Sequence, residues 1–172
     1  LDAIMRKFDE NGSLIWEQSF GNTNWGVLDS FSSIIELSDG SLLATGYTNQ
    51  SNSNHSDVFL VKTDENGNEI NSVNFGSVNN TVQELGRGVA ELDNGDFLVA
   101  SHFDSASYEY NRIITFDEDL NYKSHIDLED NDSFTKGMYD VSGGYLITGS
   151  IPNNFTVWAV IFAILTNSFA PS

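Results

Sequence analysis

Short apolar stretches recur along this chain in a fixed order. AIMRKF, opening at Ala3, meets the turn DENG, and SLIWEQSF from Ser13 then alternates apolar with polar side chains as far as Gly21. After a polar stretch, FSSIIEL leads to a second turn, SDGS, and LLATGY follows. The order then starts again as VFLVKT, DENG, NEINSVNF, GRGVAEL, DNGD and FLVASHF. Runs of about four to eight residues, rich in β-branched and aromatic side chains and bounded by Gly, Asn and Asp, read as strands. Helical spacing is nowhere sustained beyond about two turns, so the pattern predicts an all-β chain.

The recurrence is a repeat in register. Asp9 matches Asp64, Gly12 matches Gly67, Phe20-Gly21 matches Phe75-Gly76 and Gly40 matches Gly95, each pair 55 residues apart. A third copy is more worn. FDEDLNYK from Phe116 aligns with the opening phrase at an offset of 53 residues, and GGYLITG from Gly143 aligns with the second-turn segment at an offset of 48. The third copy is therefore shorter in its middle, a change that loops absorb. Each copy reads as four strands of one antiparallel sheet. Cut at its first apolar run, a single repeat domain of residues 1–172 divides at about 2–56, 57–109 and 110–156, with a fourth copy beginning at Val157.

The turns explain why the phrase recurs. Asn11-Gly12 and Asn66-Gly67, and in the second hairpin Asp39-Gly40 and Asn94-Gly95, are pairs that tolerate the positive φ of a tight hairpin turn. In the third copy Leu120 stands at the glycine position. A Cβ makes the left-handed conformation costly, so that turn is expected to adopt another geometry.

Four-stranded antiparallel sheets of about fifty residues in tandem are the unit of a β-propeller, in which each blade buries its faces against its neighbours. Three copies and a fragment fall short of the roughly four blades at which known rings begin, which predicts a partial or open propeller with exposed edges that invite self-association. The phrases KFDENGSLIWEQSFG, SDGSLLATGYTN and VFLVKTDENGNEI resemble the tandem β-propeller repeats of secreted bacterial surface proteins, the SBBP-type and delta-60-type repeats. The resemblance covers nearly all of residues 2–150 and is strongest over the first two copies. It implies blade architecture and an extracellular or cell-surface location, and it implies no activity.

Charge narrows the partners. Seven Lys and Arg stand against twenty-five Asp and Glu, a net charge of −18, which repels nucleic acid and anionic lipid surfaces. The absence of cysteine removes disulfides, thiolate nucleophiles and thiolate metal sites. The chain opens at Leu1 with no basic-then-apolar leader, so either a leader has been removed or the chain is a piece of something longer. Phe155–Leu165, the most apolar run, is shorter than the roughly twenty residues of a membrane span and reads as a buried strand.

Candidate chemistry is sparse. Asp9, Gly12 and Trp16 fit the blade motif of quinoprotein propellers, but Asn71 and Ser124 replace the Trp in the other copies, and that motif is structural even in the enzymes. The sialidase Asp box fails on spacing. Oxygen-bearing side chains at Asp9 and Asn11, Asp64 and Asn66, and Asp117 and Asp119 open like calcium loops, yet the glycine comes early and Phe20 and Phe75 fill the place of the closing Glu. Hairpin turns select the same residues for backbone reasons, and the turn reading is preferred. Asp127, Glu129, Asp130 and Asp132 read as a solvated acidic loop. His55, His102 and His125 lack ligand-spaced partners, and neither a phosphate loop nor a nucleophile elbow occurs.

The aromatic and imidazole side chains Trp25, Tyr47, His102, Tyr108 and Tyr110 fall in or beside expected loops, where rings stack on sugars or peptides. The sequence thus points to a non-catalytic extracellular β-propeller module for recognition or display, binding glycan or protein. No cofactor is required, and calcium is the one candidate ion. The alternatives are a propeller enzyme or quinone-binding protein, and an architectural spacer.

Overall fold

The computed structural model describes residues 2–21, 28–49, 55–76, 82–105, 109–128, 134–141 and 144–150. Over these the chain is all-β with no helix. The apolar runs become β1 (Ala3–Phe8), β2 (Leu14–Phe20), β3 (Asp29–Glu36), β4 (Leu42–Asn49), β5 (Ser56–Thr63), β6 (Glu69–Phe75), β7 (Val82–Glu91), β8 (Phe97–Ser105), β9 (Glu109–Phe116), β10 (Tyr122–Leu128), β11 (Phe134–Val141) and β12 (Gly144–Ser150).

The sheets are cut half a repeat away from the sequence division. Strands β3-β4-β5-β6 form one four-stranded antiparallel sheet and β7-β8-β9-β10 another, flanked by the two-stranded sheets β1-β2 and β11-β12. The expected unit 2–56 is therefore split: β1-β2 pair only with each other, while β3 and β4 join β5 and β6. Hydrophobic pattern fixes which side of a strand is buried, but the partner of each strand is a long-range choice that the pattern does not encode. The described sheets do not close into a ring.

The four sheets stack in chain order, and three apolar seams fill the gaps. Ala3, Met5, Phe20, Ala44, Phe59 and Val61 pack between the first two sheets. The second seam holds Leu43, Val58, Leu60, Val99, Ile114 and Phe116, and the third Leu98, Ala100, Ile113, Met138 and Ile147. Alternate residues of one strand serve opposite seams. Phe97 and Val99 of β8 face back and Leu98 and Ala100 face forward, all fully buried, which is why β5 and β8 read as unbroken apolar runs. The outer strands β6 and β10 stay largely exposed.

Among the described residues five tight turns lie at one end of the stack. In each, the fourth residue donates to the first carbonyl and the first amide donates to the fifth carbonyl, as in Gly12 N to Asp9 O at 3.0 Å and Asp9 N to Ser13 O at 2.9 Å. Only that fourth residue has positive φ, from 81° to 84° at Gly12, Gly40, Gly67 and Gly95. Asn11, Asn66 and Asn94 do not, so the turn is a longer one with a single left-handed residue rather than an Asn-Gly pair. Leu120 corrects the sequence expectation. It takes φ 64° and makes the same two hydrogen bonds. Its side chain is buried in the second seam, and that burial, worth about 1.5–3 kcal/mol, offsets a left-handed cost of about 1–2 kcal/mol.

Residues 155–165 and the start of the fourth copy at Val157 lie outside the described residues. Among the described residues no helix is long and apolar enough to cross a membrane.

Candidate functional site

Because every pairing is antiparallel, the ends of the stack differ in kind. The tight turns lie at one end, and the chain leaves β2, β4, β6, β8 and β10 at the other, here the loop end. The loop end carries a row of unlike side chains on the face of β7-β8-β9-β10 that meets the preceding sheet. Cross-strand pairing places Glu84 beside Phe103 and Phe103 beside Tyr110. One step inward it places Ser101 beside Arg112 and Arg112 beside Asp127.

Arg112 organises this row. Its Nε donates to Asp127 Oδ1 at 2.7 Å and its Nη2 to the Tyr110 hydroxyl at 3.0 Å. Its guanidinium lies over the rings of Phe103 and Tyr110, 5.4 and 5.3 Å from their centroids, while the two rings stack with centroids 4.3 Å apart. Burial by itself would lower the Arg112 pKa. The Asp127 hydrogen bond, with Tyr110 and Glu84, more than compensates and raises it.

Glu84 is the outlier. Its Oε1 stands 4.0 Å from Arg112 Nη1, and its buried Oε2 makes no hydrogen bond among the described residues. Burial pushes its carboxyl up to about 7, against the pull of Arg112 and helped by the charge of Asp57. Half of Glu84 is therefore protonated near neutral pH, because desolvation outweighs a distant, shared guanidinium.

On the opposite face of the same strands lies a buried tie. His102 Nδ1 is 3.4 Å from Asn111 Oδ1, which also accepts from the Thr135 amide of β11 at 3.0 Å. Burial holds the His102 pKa below its ordinary value. Arg87 occupies a bulge of β7 between the paired residues Gly86 and Gly88. It is close enough to Tyr47 and to His102 to perturb one and be perturbed by the other, and burial lowers its own pKa.

Of the residues flagged in the sequence, Tyr47, His102 and Tyr110 lie in strands β4, β8 and β9, toward their loop ends. Tyr110 joins the Arg112 row, while Tyr47 and His102 share Arg87 as a neighbour. Trp25 and Tyr108 lie outside the described residues, as do Glu129, Asp130 and Asp132. The sequence reading missed Glu84, Phe103, Arg87 and Arg112. The available signal was a charged residue inside an otherwise apolar strand, as in RIITF at Arg112, in a chain with only seven cations.

The turn carboxylates are spent on their own backbone. Asp64 Oδ1 accepts from the amides of Asn66 and Asn68 at 2.8 and 2.9 Å and its Oδ2 from Asn68 Nδ2 at 2.8 Å. Asp117 does the same with Asp119 and Asn121, and Asp9 Oδ1 accepts from the amides of Asn11 and Ser13. These bonds to the ionised form, led by the Asn side chains, lower the pKa of Asp64 and Asp117. Among the described residues no three His, Asp or Glu side chains gather as a metal site. His125 bonds the Tyr122 hydroxyl at 2.7 Å, far along the chain from His55 and His102.

Trp16, the quinoprotein-like position, lies against the β5-β6 turn of the next sheet. A Cβ on Gly67 would come within 2.9 Å of its ring, so the two sheets dock through that indole. No protein-family model matches the chain, and no curated protein matches it.

Proposed function

We propose that the chain is a non-catalytic β-propeller module of a secreted or surface-displayed bacterial protein, whose loop end recognises a glycan or protein ligand. The observation that carries this reading is the asymmetry of the stack. Five turns with the same pair of backbone hydrogen bonds lie at one end, and toward the other lies the half-buried aromatic pair Phe103 and Tyr110 with Arg112 across it. Rings capped by a guanidinium offer stacking surface and directed donors together, the combination that sugar hydroxyls and peptide groups use. A net charge of −18 disfavours anionic ligands and favours neutral or basic ones.

A glycan array and a panel of cationic and neutral peptides test this. Saturable binding that falls at least tenfold in Tyr110→Ala and in Arg112→Ala, with the fold retained, supports recognition at the loop end. Binding indifferent to both variants would place recognition elsewhere. No binding to any probe would leave the spacer role as the better account.

A further inference from the structure

We propose that Arg87 is the seat of a second ligand site, apart from the Arg112 row, which takes a carboxylate group from solution on its guanidinium with the Tyr47 hydroxyl as a further donor.

The backbone builds the seat. The leading strands β3, β7 and β11 each carry one extra residue that the pairing with the next strand skips, namely Ser32, Arg87 and Lys136. A bulge re-aims the side chain it carries. Arg87 is flanked by two glycines at which neighbouring strands approach closely. A Cβ on Gly86 would lie 2.7 Å from the carbonyl oxygen of Gly46 in β4, and one on Gly88 would lie 2.3 Å from the amide nitrogen of Met138 in β11. The side chain between them is half-buried on a fixed frame. Ser32 and Lys136 are exposed at the equivalent bulges, so the bulge itself calls for no guanidinium.

Charge singles the residue out. Arg6, Arg112 and Lys123 pair with carboxylates, Lys7 reaches a carbonyl and Lys62 lies over the Phe97 ring. Among the described residues Arg87 makes no hydrogen bond or ion pair, and its Nε is buried without an acceptor. Burial lowers its pKa and Tyr47 opposes that shift, but a phenol carries no charge at neutral pH. A guanidinium taken from water without a counter-ion is destabilising. Twenty-five Asp and Glu supply none at this place, and a ligand carboxylate does.

The ligand chemistry follows from the donors. The planar edge of a guanidinium matches a carboxylate through two parallel hydrogen bonds, and Tyr47 adds one O–H. Burial first, and Arg87 after it, lower the His102 pKa. His102 therefore adds no second charge near neutral pH, and a singly charged carboxylate is matched better than a phosphate dianion. The net charge of −18 repels anions at long range, but salt screens charges beyond about 8 Å, so the contact pair decides.

Thermal unfolding of the full chain tests this, with glucuronate, N-acetylglycinate or phosphate replacing chloride at constant ionic strength and glucose as the neutral control. The proposal expects a saturable rise of at least about 2 °C with a carboxylate and none with glucose. A response to glucuronate alone identifies a sugar acid, and one to N-acetylglycinate alone a peptide carboxyl. Arg87→Met should fold and lose the response. Tyr47→Phe should keep the fold and raise the half-saturating concentration about tenfold. Should Arg87→Met fail to fold, the Nε–Hε resonance of Arg87 in the unmodified chain decides, since it must shift with carboxylate and stay in place with glucose. No response to either carboxylate, the same response in Arg87→Met, or a stronger response to phosphate than to both carboxylates would overturn the proposal.

Discussion

The first and second seams of the stack occupy the same backbone frame and fill it with opposite chemistry. At the turn end of the first, the Trp16 ring packs on the Gly67 turn of the next sheet. At the same place in the second, Asn71 Nδ2 donates to the carbonyl of Asp119 at 2.6 Å, and the glycine has become Leu120. An indole needs a residue without Cβ beneath it, whereas a hydrogen bond to the backbone does not, which frees the position to carry a core leucine. The loop ends diverge likewise. Phe20, Phe31 and Phe59 form an aromatic cluster in the first seam, with Phe31 and Phe59 stacked at 5.6 Å. In the second, Gly86 and Arg112 stand at the positions of Phe31 and Phe59, with Glu84 alongside. The repeat conserves where groups sit, and each seam solves its packing with a separate set of them.

The largest test of the difference is to remove a core side chain from each seam. Phe59→Ala, which removes a buried stacked ring, is expected to cost about 3–5 kcal/mol in urea denaturation. Leu120→Ala is expected to cost about 2–4 kcal/mol, because the left-handed strain persists while the core contact is lost; a loss below about 1 kcal/mol would mean that the leucine is merely tolerated.

The second seam should respond to neutral pH through Glu84. The folded-state pKa of Glu84 is raised from 4.5 to about 7, so the native state binds the extra proton and stability falls as pH rises through that window. The loss amounts to about 3 kcal/mol by pH 8. Glu84→Gln should flatten the profile and match or exceed the unmodified protein above pH 7; unchanged pH dependence would remove Glu84 as the cause.

Exchanging the docking chemistry gives a smaller effect. Gly67→Leu should cost about 1–3 kcal/mol beside Trp16 and less in a Trp16→Asn background, a coupling of about 1 kcal/mol in a double-mutant cycle. The smallest effect concerns the turns common to both seams. The folded-state pKa values of Asp64 and Asp117 lie below the ordinary 3.8, so their contribution is present above pH 4 and lost as pH falls below it. Asp117→Ala should lower the melting temperature at pH 7 and leave it near that of the unmodified protein at pH 2.

Much of the architecture was legible. AIMRKF is β1 residue for residue, and every turn anticipated at Gly12, Gly40, Gly67 and Gly95 is present, because hairpins are local and Gly is chosen by φ. The polar row was not legible. Glu84 lies 28 residues from Arg112 in the chain, and only pairing through β8 brings their ends together. Leu120 was misread because its left-handed backbone is stabilised by a core that forms from distant strands.

Local chemistry thus determined the strands, the turns and the repeat, since side-chain alternation and backbone φ preferences act over a few residues. Where each sheet begins, which seam gathers aromatic rings and which holds Glu84 beside Arg112, and how a leucine holds a glycine's conformation were decided only when strands far apart in the chain packed face to face. Those outcomes depend on burial, and burial is a property of the assembled stack.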